Sequence, residues 1–520
     1  MKSRHPEYAR ADDCALDGIV DVPAQLPQPR CLRICAELAD GGWHLAHVQR
    51  TWTSDREQEK LPFARYSPWT FWRAFRALRS AYASAAVPVQ PGAALREETR
   101  SVRRDYRARA PRTRPRATPL LAPPVAAIAA RPPRLVLLVT HNLNLEGAPL
   151  FLWEYARELA ARCGTRLDVV SGRDGPLRAR FEGLGAAVRL LDTSRLTTVG
   201  SARELRREIR ALGAQLDLTG VELVVANTLA CFWAVLAAHA AGRPSLLYIH
   251  ESTPPAGFFP EPLASAALPV VAEAFAKATR VSFLTAATRR YYDDLATRPN
   301  FCLNPGWIDL GGIDAFRAAH SRAGLRAQFG VADGEPLVVN IGSVCERKGQ
   351  TIFARAVDLL WRQDPALAGR ARFLMIGGRD TRYDRDLADF LRDLGRPNLQ
   401  VLPETPEVYA GYGAADLFVC TSYEESFPRV ILEAMAFALP IVSTDVHGVP
   451  EIVRDGQEAV LVPPGDTYAL AAAMQRLLAD PATAGALAAR ARRRVETTFA
   501  LERILPRHLA LAAALAAGQR

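Results

Sequence analysis

The chain has 520 residues, of which 49% are hydrophobic and 23% are charged, and its formal net charge at pH 7 is +10. Because domains usually hold about 100–200 residues, one ordinary core is excluded and two or three domains are expected. No uninterrupted apolar run of about 18 residues is present, so the sequence predicts no membrane-spanning helix. The net positive charge favours anionic partners such as nucleotide phosphates, acidic glycans, phospholipid headgroups or nucleic acid.

The N-terminus and the cysteines predict a cytoplasmic location. The segment MKSRHPEYARADD lacks the apolar centre and the small-residue cleavage site of a secretory signal. The eight cysteines are scattered without CxxC pairs, so we expect reduced thiols that are mostly buried.

Residues 1–130 form an N-terminal extension of unknown role. Segment 67–86 begins with Ser and Pro and carries aromatic residues at helical spacing with arginines between them, which predicts a basic amphipathic helix. Such a helix can lie on the anionic inner face of the plasma membrane, although this pattern more often packs on a core. The Arg-rich segment 96–116 is interpreted as a solvated linker, and nucleic-acid binding is not expected because stacking aromatics are scarce there.

From Arg134 onward, short runs rich in Leu and Val alternate with longer segments of helical period. This alternation predicts parallel sheets with crossover helices. The runs are 134–142, 166–172, 187–192, 223–228, 245–251 and 280–285, followed by 336–344, 371–378, 399–404, 415–422, 440–445 and 459–464.

The predicted fold is therefore α/β, with two doubly wound Rossmann-like domains that face each other across a cleft. We expect an N-terminal, acceptor-side domain over 131–315, a C-terminal domain that binds the nucleotide sugar over 316–500, and a C-terminal helix over 501–520. Ligands of such sheets bind beyond the carboxyl ends of the strands, so the loops after the runs are candidates for the site.

The stretch 421–453 contains two carboxylates at a regular spacing. Glu425 follows a buried-type run, and seven residues separate it from Glu433, which lies in a helix that Pro428 can begin. A carboxylate accepts paired hydrogen bonds from vicinal hydroxyls, so one can hold a hexose and the other a ribose. Backbone amides that open this helix point at negative charge, and they lie near Phe427, Arg429 and Val430.

Three other loops carry candidate residues. Arg347 and Lys348 follow a predicted strand, and such cations can stabilise a departing nucleotide diphosphate without a metal. Gly147 lies where a strand runs into a helix, a geometry that brings backbone close to a phosphate or an acceptor. His250 ends the run 245–251 and should face the cleft, although a lone histidine at a strand end is as often structural.

These blocks resemble the retaining glycosyltransferases of family 4, of the GT-B class, over roughly residues 134–500. The family signature is a Glu-x7-Glu block followed by EAMA, a strand and G-x-P-E. It is matched by Glu425, Ser426, Phe427, Glu433, Ala434, Met435, Gly448, Pro450 and Glu451.

The resemblance implies roles for several of these residues. Glu425 would hold hydroxyls of the donor sugar, Glu433 would hold the ribose, and His250 would contact the sugar near the reacting carbon. In the loop 340–350, Lys348 and Gly349 fit the family pattern.

Three positions depart from the family pattern. Ala148 follows Gly147 in the N-terminal loop where a second Gly is usual. Ser343 follows Gly342 where an Arg is usual, and Arg347 is interpreted as its replacement. Pro428 stands where a Gly is usual and removes one amide that could donate to the sugar.

The function implied is a retaining, metal-independent hexosyltransferase that needs no cofactor beyond its UDP- or GDP-sugar donor. The acceptor would be a hydroxyl of a glycan, a lipid-linked sugar or a small molecule, in cell-surface polysaccharide or glycolipid synthesis.

The Asp384 and Asp386 pair is assigned to an exposed helix without a metal role. Two alternatives stay open, a non-catalytic GT-B scaffold in polysaccharide assembly and a nucleotide-sugar epimerase.

Overall fold

The structure is a computed structural model that describes residues 131–259 and 263–518, together with the backbone of three strands in the N-terminal extension. These strands, β1 (Ala15–Asp21), β2 (Cys31–Ala39) and β3 (Gly42–Thr51), pair antiparallel in the order β1-β2-β3. These strands were not predicted from the sequence, because antiparallel strands do not need the continuous apolar runs of a buried parallel sheet. The predicted helix over 67–86 and the Arg-rich segment lie outside the described residues.

The N-terminal domain contains a parallel sheet of seven strands in the order β10-β9-β8-β7-β4-β5-β6. Its strands are β4 (Leu135–Thr140), β5 (Arg166–Ser171), β6 (Ala187–Leu190), β7 (Leu223–Asn227), β8 (Ser245–Ile249), β9 (Arg280–Phe283) and β10 (Phe301–Leu303). Each of the six runs predicted for this half contains one of β4 to β9. The edge strand β10 was missed because three residues are too few to form a recognisable run.

Helices cover both faces of this sheet, which explains why β4, β7 and β8 are buried along their whole length. They are α1 (Gly147–Cys163), α2 (Leu177–Glu182), α3 (Ala202–Gly213), α4 (Phe232–Ala240), α5 (Pro255–Phe258), α6 (Leu263–Lys277) and α7 (Ala286–Arg289). Gly164, with a left-handed φ of 64°, ends α1 by donating to the last carbonyls of the helix.

The C-terminal domain has a parallel sheet of six strands in the order β13-β12-β11-β14-β15-β16. The strands are β11 (Leu337–Ile341), β12 (Arg372–Gly378), β13 (Leu399–Pro403), β14 (Leu417–Cys420), β15 (Ile441–Thr444) and β16 (Val460–Val462). All six predicted runs contain one of these strands. The doubly wound α/β prediction is therefore confirmed.

The helices of this domain flank its sheet. They are α8 (Leu310–Ala319), α9 (Arg322–Gln328), α10 (Gln350–Gln363), α11 (Pro365–Arg370), α12 (Arg382–Leu394), α13 (Tyr409–Ala414), α14 (Arg429–Ala436), α15 (Val449–Ile452), α16 (Thr467–Ala479) and α17 (Pro481–Arg494). Asp466 caps α16 by accepting from the amide of Ala469.

The last helix, α18 (Leu501–Ala516), returns to the N-terminal domain and packs on its core. His508 is fully buried there, with Nδ1 2.7 Å from the Tyr248 hydroxyl and Nε2 3.0 Å from the Pro305 carbonyl. The two segments that cross between the domains pair through Ile308 and Ala500. The chain thus passes between its two domains twice at one place.

In each sheet the strand order reverses at the first strand of the domain, β4 or β11. Ligands of doubly wound sheets bind at this switch point, beyond the strand ends. The loops after β4, β11 and β14 therefore define where a site is expected. Within residues 131–259 and 263–518, none of the helices combines the length and the hydrophobicity that a membrane span requires.

Candidate functional site

The centre of the site is an ion pair between the loops after β11 and β14. Lys348 Nζ lies 2.5 Å from Glu425 Oε1, which also accepts from the Ser422 hydroxyl at 2.6 Å. Burial by itself would raise the pKa of Glu425, but the nearby Lys348 and Arg347 bring it below its usual value. A buried carboxylate is thus kept ionised beside a cation at the switch point.

Glycine allows the Lys348 loop to lie directly against the Glu425 loop. Gly349 has φ 65°, and a Cβ there would come within 2.2 Å of the Thr421 carbonyl oxygen. Gly342 adopts φ 146°, where L-residues are rare. The pattern Gly-x6-Gly across residues 342–349 is therefore explained by backbone geometry and close packing.

Arg347 is placed beside the same carboxylate. Its Nη1 donates to the Glu424 carbonyl at 2.8 Å and lies 3.6 Å from Glu425 Oε2, while 42% of the side chain stays exposed. Ser343 lies in the same loop, and its carbonyl accepts from Gln350 Nε2 at 3.1 Å. Arg347, but not Ser343, thus adds positive charge next to Lys348.

Glu433 lies in α14 and belongs to a second buried cluster. Its Oε1 accepts from Arg429 Nε at 2.9 Å, and its Oε2 accepts from the Tyr412 hydroxyl at 2.9 Å. Burial raises the pKa of Glu433, and the Arg429 charge and the Tyr412 hydrogen bond offset only part of this effect. Arg429 also donates to Glu154 of α1 at 2.7 Å, so the cluster joins the two domains.

The residues between the two glutamates do not all face the cleft. The Phe427 ring packs against Gly306 and the Phe499 ring, and the Ser426 hydroxyl donates to the Thr288 hydroxyl at 3.4 Å. The Val430 carbonyl accepts from the Tyr412 hydroxyl at 3.3 Å. The Ser426 and Phe427 side chains are therefore occupied by contacts within the protein. Helix α14 begins directly after Pro428, as predicted.

His250 follows β8 in the N-terminal domain. Its Nε2 lies 2.8 Å from Asn227 Oδ1, and Asn227 Nδ2 donates to the Ala148 carbonyl, so the Asn227 oxygen faces the ring. Burial lowers the pKa of His250 to about 3, with smaller contributions from His141 and His508. The imidazole is therefore neutral, with Nε2–H donating to Asn227 and Nδ1 left as an acceptor.

Gly147 is the first residue of α1, next to the His250 network. A Cβ on Gly147 would meet no atom within 4 Å, so the space beside this glycine is open. The preceding Glu146 is paired with Arg379 of the C-terminal domain at 2.8 Å. This ion pair connects the loop after β4 to the loop after β12.

A third contact between the domains involves the Glu of G-x-P-E. Glu451 accepts from the backbone amides of Ala286 and Ala287 at 3.0 and 2.7 Å, at the start of α7. Burial raises the pKa of Glu451, and the two amides oppose this rise. Sequence reasoning identified Glu451 as part of the motif but not its partners, because they lie 164 and 165 positions away.

Sequence reasoning also missed Glu154 and Tyr412. Glu154 could have been suspected, because it lies on the apolar face of α1 beside Phe151, Leu152 and Tyr155. A carboxylate is rarely fully buried unless it is paired. Tyr412 carries no comparable signal in the sequence.

The Asp384 and Asp386 pair lies in α12, as the sequence predicted. Asp384 forms a capping box with Thr381 at the start of this helix. No group of three or more His, Cys, Asp or Glu side chains with metal-binding geometry occurs among the described residues.

Comparisons with known proteins support the same fold and family. Residues 335–480 match the model for glycosyl transferases group 1, and residues 146–305 match the glycosyl transferase 4-like domain. A D-inositol 3-phosphate glycosyltransferase of Nocardia farcinica is 38% identical over 167 residues, which are 31% of this chain and 36% of that relative. The chain thus spans about a third of that curated relative's length.

Two solved structures share the fold at low identity. Anabaena HepE in complex with UDP-glucose has a TM-score of 0.61 and 21% identity, over 73% of this chain and 99% of HepE. WaaG, a glycosyltransferase involved in lipopolysaccharide biosynthesis, has a TM-score of 0.57 and 18% identity, over 74% of this chain and 100% of WaaG. The predicted GT-B arrangement is confirmed, and the chain belongs to the family 4, group 1 glycosyltransferases.

Proposed function

We propose that this protein is a retaining glycosyltransferase that moves a sugar from a nucleotide-diphosphate sugar to a hydroxyl acceptor. The observation that carries the proposal is the Lys348–Glu425 pair at the switch point of the C-terminal domain. A buried, ionised carboxylate can accept two hydroxyls of a hexose, and the adjacent ammonium can bind the diphosphate.

The charges around this pair suit a departing nucleotide diphosphate. Lys348 is 16% exposed, so its charge is little screened by solvent. Arg347 adds a second, more exposed cation beside it. Because these cations can stabilise the leaving group, the proposed reaction has no metal step and requires no cofactor besides the donor.

The proposed reaction proceeds on one face of the sugar. The bond between C1 and the phosphate oxygen breaks, and its electron pair goes to the diphosphate held by Lys348 and Arg347. The acceptor oxygen then bonds to C1 from the same side, and its proton passes to the departing phosphate oxygen. Neutral His250 can contact the sugar through Nδ1, whereas the covalent route of retaining glycosidases would need a carboxylate nucleophile.

The fold likeness to HepE and WaaG suggests a class of donor and a biological setting. HepE was solved in complex with UDP-glucose, and WaaG is a glycosyltransferase involved in lipopolysaccharide biosynthesis. By this likeness the donor would be a UDP- or GDP-sugar and the acceptor a glycan, a lipid-linked sugar or a small molecule. The setting would be cell-surface polysaccharide or glycolipid synthesis at the cytoplasmic side of the membrane. The net charge of +10 favours contact with anionic headgroups there.

One observation favours a second candidate, a non-catalytic GT-B scaffold. Ser343 stands where the family pattern has an arginine, and the cation proposed to replace it, Arg347, comes from a different position of the loop. The two candidates differ in whether the protein turns a nucleotide sugar into a glycoside.

The first test is thermal unfolding of the purified protein with UDP, GDP, ADP and their sugars. A ligand at about 100 times its Kd should stabilise the folded state by about 2.7 kcal/mol. We expect one nucleotide class to stabilise the protein and Lys348→Ala to abolish the effect. Lys277→Ala is the matched control, because that lysine pairs with Glu273 on the surface of α6.

Product analysis with the selected donor then separates the candidates. A glycoside supports the transferase, whereas an epimerised nucleotide sugar without a glycoside indicates an epimerase. Absence of stabilisation by every nucleotide would favour the scaffold and contradict the proposal.

A further inference from the structure

The turn after β15 places His447 beside the Lys348–Glu425 pair. The amide of the next residue, Gly448, donates to the Glu425 carbonyl at 3.1 Å. A Cβ on Gly448 would come within 1.7 Å of the Ser426 carbonyl oxygen, so the two backbones are in direct contact. The His447 turn is therefore held against the segment that carries Glu425.

The backbone of His447 is in an unusual conformation. Its φ is 39°, in the left-handed region that non-glycine residues seldom occupy. Such a conformation costs free energy and persists where the surrounding structure imposes it. A glycine would adopt this φ without strain, so the imidazole is present despite the backbone preference.

The imidazole lies at the cleft and touches both domains. Its ring is edge-on to Tyr291 of the N-terminal domain, with 5.6 Å between ring centres. Burial lowers the pKa of His447 to about 4, and Glu425 and Arg347 are the charged groups close enough to shift it. The ring is thus neutral near pH 7 and borders the proposed sugar site.

One ring nitrogen of His447 has no partner among the described residues. Nδ1 is buried and makes no hydrogen bond. Burial of a polar atom without a partner is costly, and native structures usually satisfy such atoms. A sugar hydroxyl both donates and accepts, so it can pair with Nδ1 in either tautomer of the ring.

We propose that His447 contacts the donor sugar, with Nδ1 hydrogen-bonded to a sugar hydroxyl beside the hydroxyls that Glu425 holds. This inference rests on the proposed function, because it requires a nucleotide sugar in this cleft. The proposed contact involves only the sugar. Its loss should therefore weaken binding of the nucleotide sugar without weakening binding of the free nucleotide diphosphate.

The test compares the Kd of a nucleotide sugar with that of its free nucleotide diphosphate, measured by isothermal titration calorimetry. UDP-glucose and UDP are the probes, or the corresponding pair of the nucleotide that the thermal panel selects. Three variants are measured with the wild type. His447→Gly removes the ring and relieves the backbone, His447→Asn keeps a polar atom near the Nδ1 position and tolerates a positive φ, and His447→Gln places its amide nearer to the Nε2 position.

We expect His447→Gly and His447→Gln to raise the Kd of the nucleotide sugar about threefold to tenfold, as loss of one neutral hydrogen bond does. We expect UDP affinity to stay within about twofold, and His447→Asn to retain most of the wild-type affinity for the sugar nucleotide. The inference would be overturned if the variants bound the nucleotide sugar and the free nucleotide diphosphate equally more weakly. It would also be overturned if His447→Gly bound the nucleotide sugar as tightly as the wild type does. Rescue by Gln instead of Asn would overturn the Nδ1 assignment. Failure of the wild type to bind either ligand would instead overturn the proposed function.

Discussion

Arg429 Nη2 of the C-terminal domain lies 2.7 Å from Glu154 Oε1 of the N-terminal domain. The other oxygen of Glu154 accepts from Trp307 Nε1 at 2.9 Å, and Arg429 Nε pairs with Glu433 at 2.9 Å. One guanidinium therefore forms ion pairs with two buried carboxylates that belong to different domains. The helix that carries the second glutamate of the Glu-x7-Glu block is thereby fixed against α1.

Removal of this guanidinium should destabilise the protein strongly. Arg429→Met leaves Glu154 and Glu433 buried without a cation, and breaking a buried ion pair from one side costs about 3–5 kcal/mol. We expect a large fall in the midpoint of urea unfolding. The double variant Arg429→Met, Glu154→Gln should recover part of the loss, because one of the two unpaired charges is then removed.

Arg178→Met is the matched control for this prediction. Arg178 also bridges two carboxylates, Asp174 and Glu182, both at 2.9 Å, but this cluster is on the surface. Surface ion pairs contribute little to stability, so its midpoint should stay near the wild-type value. A similar midpoint for Arg429→Met and Arg178→Met would contradict the role assigned to Arg429.

Lys348→Met should lower transfer activity far more than it lowers stability. The variant removes the ammonium that lies against Glu425 and faces the proposed diphosphate, and loss of one such electrostatic contact typically costs about 10²–10³ in kcat. Activity is measured as release of the nucleotide diphosphate in the presence of acceptor. Lys277→Met should keep its activity, and a Lys348→Met enzyme with wild-type kcat would exclude Lys348 from the leaving-group site.

The sequence was sufficient to predict the two sheets, because buried parallel strands are continuous apolar runs that end in recognisable loops. It also located Glu425 and Lys348, since both lie in the loops that follow such runs. It did not reveal that they form an ion pair, because 77 positions separate them. The Glu154 and Tyr412 contacts were equally hidden, as each depends on how two distant elements pack.

Gly349→Ala should disrupt the Lys348 loop. The new Cβ would overlap the Thr421 carbonyl oxygen at 2.2 Å, in addition to the strain of φ 65°. Gly164→Ala is a close control, because Gly164 has φ 64° but open space around its Cβ. The left-handed strain alone costs about 1–2 kcal/mol.

We therefore expect Gly349→Ala to be less stable than Gly164→Ala in urea unfolding and to lose stabilisation by the donor nucleotide. Gly164→Ala should keep that stabilisation. Equal behaviour of the two variants in both measurements would show that the close approach to Thr421 has no consequence.

The buried histidines predict a loss of stability in mild acid. Burial lowers the pKa of His508 to about 4 and that of His250 to about 3, whereas an unfolded histidine titrates near 6.5. Between pH 6.5 and 4 the unfolded chain therefore binds more protons than the folded chain, so the free energy of unfolding falls as the pH falls. Each such group contributes up to about 1.4 kcal/mol per pH unit in this window.

His508→Phe isolates one of these contributions. It removes the titrating ring but leaves the Tyr248 hydroxyl and the Pro305 carbonyl without their partner, so the variant should be less stable at pH 7.5. Its urea midpoint should nevertheless depend less on pH between 6.5 and 4 than that of the wild type. Tyr248→Phe breaks the same hydrogen bond but keeps the buried histidine, so it should keep the steep dependence. If the urea midpoint of His508→Phe fell with pH as steeply as that of the wild type, this histidine would not be the cause of the acid sensitivity.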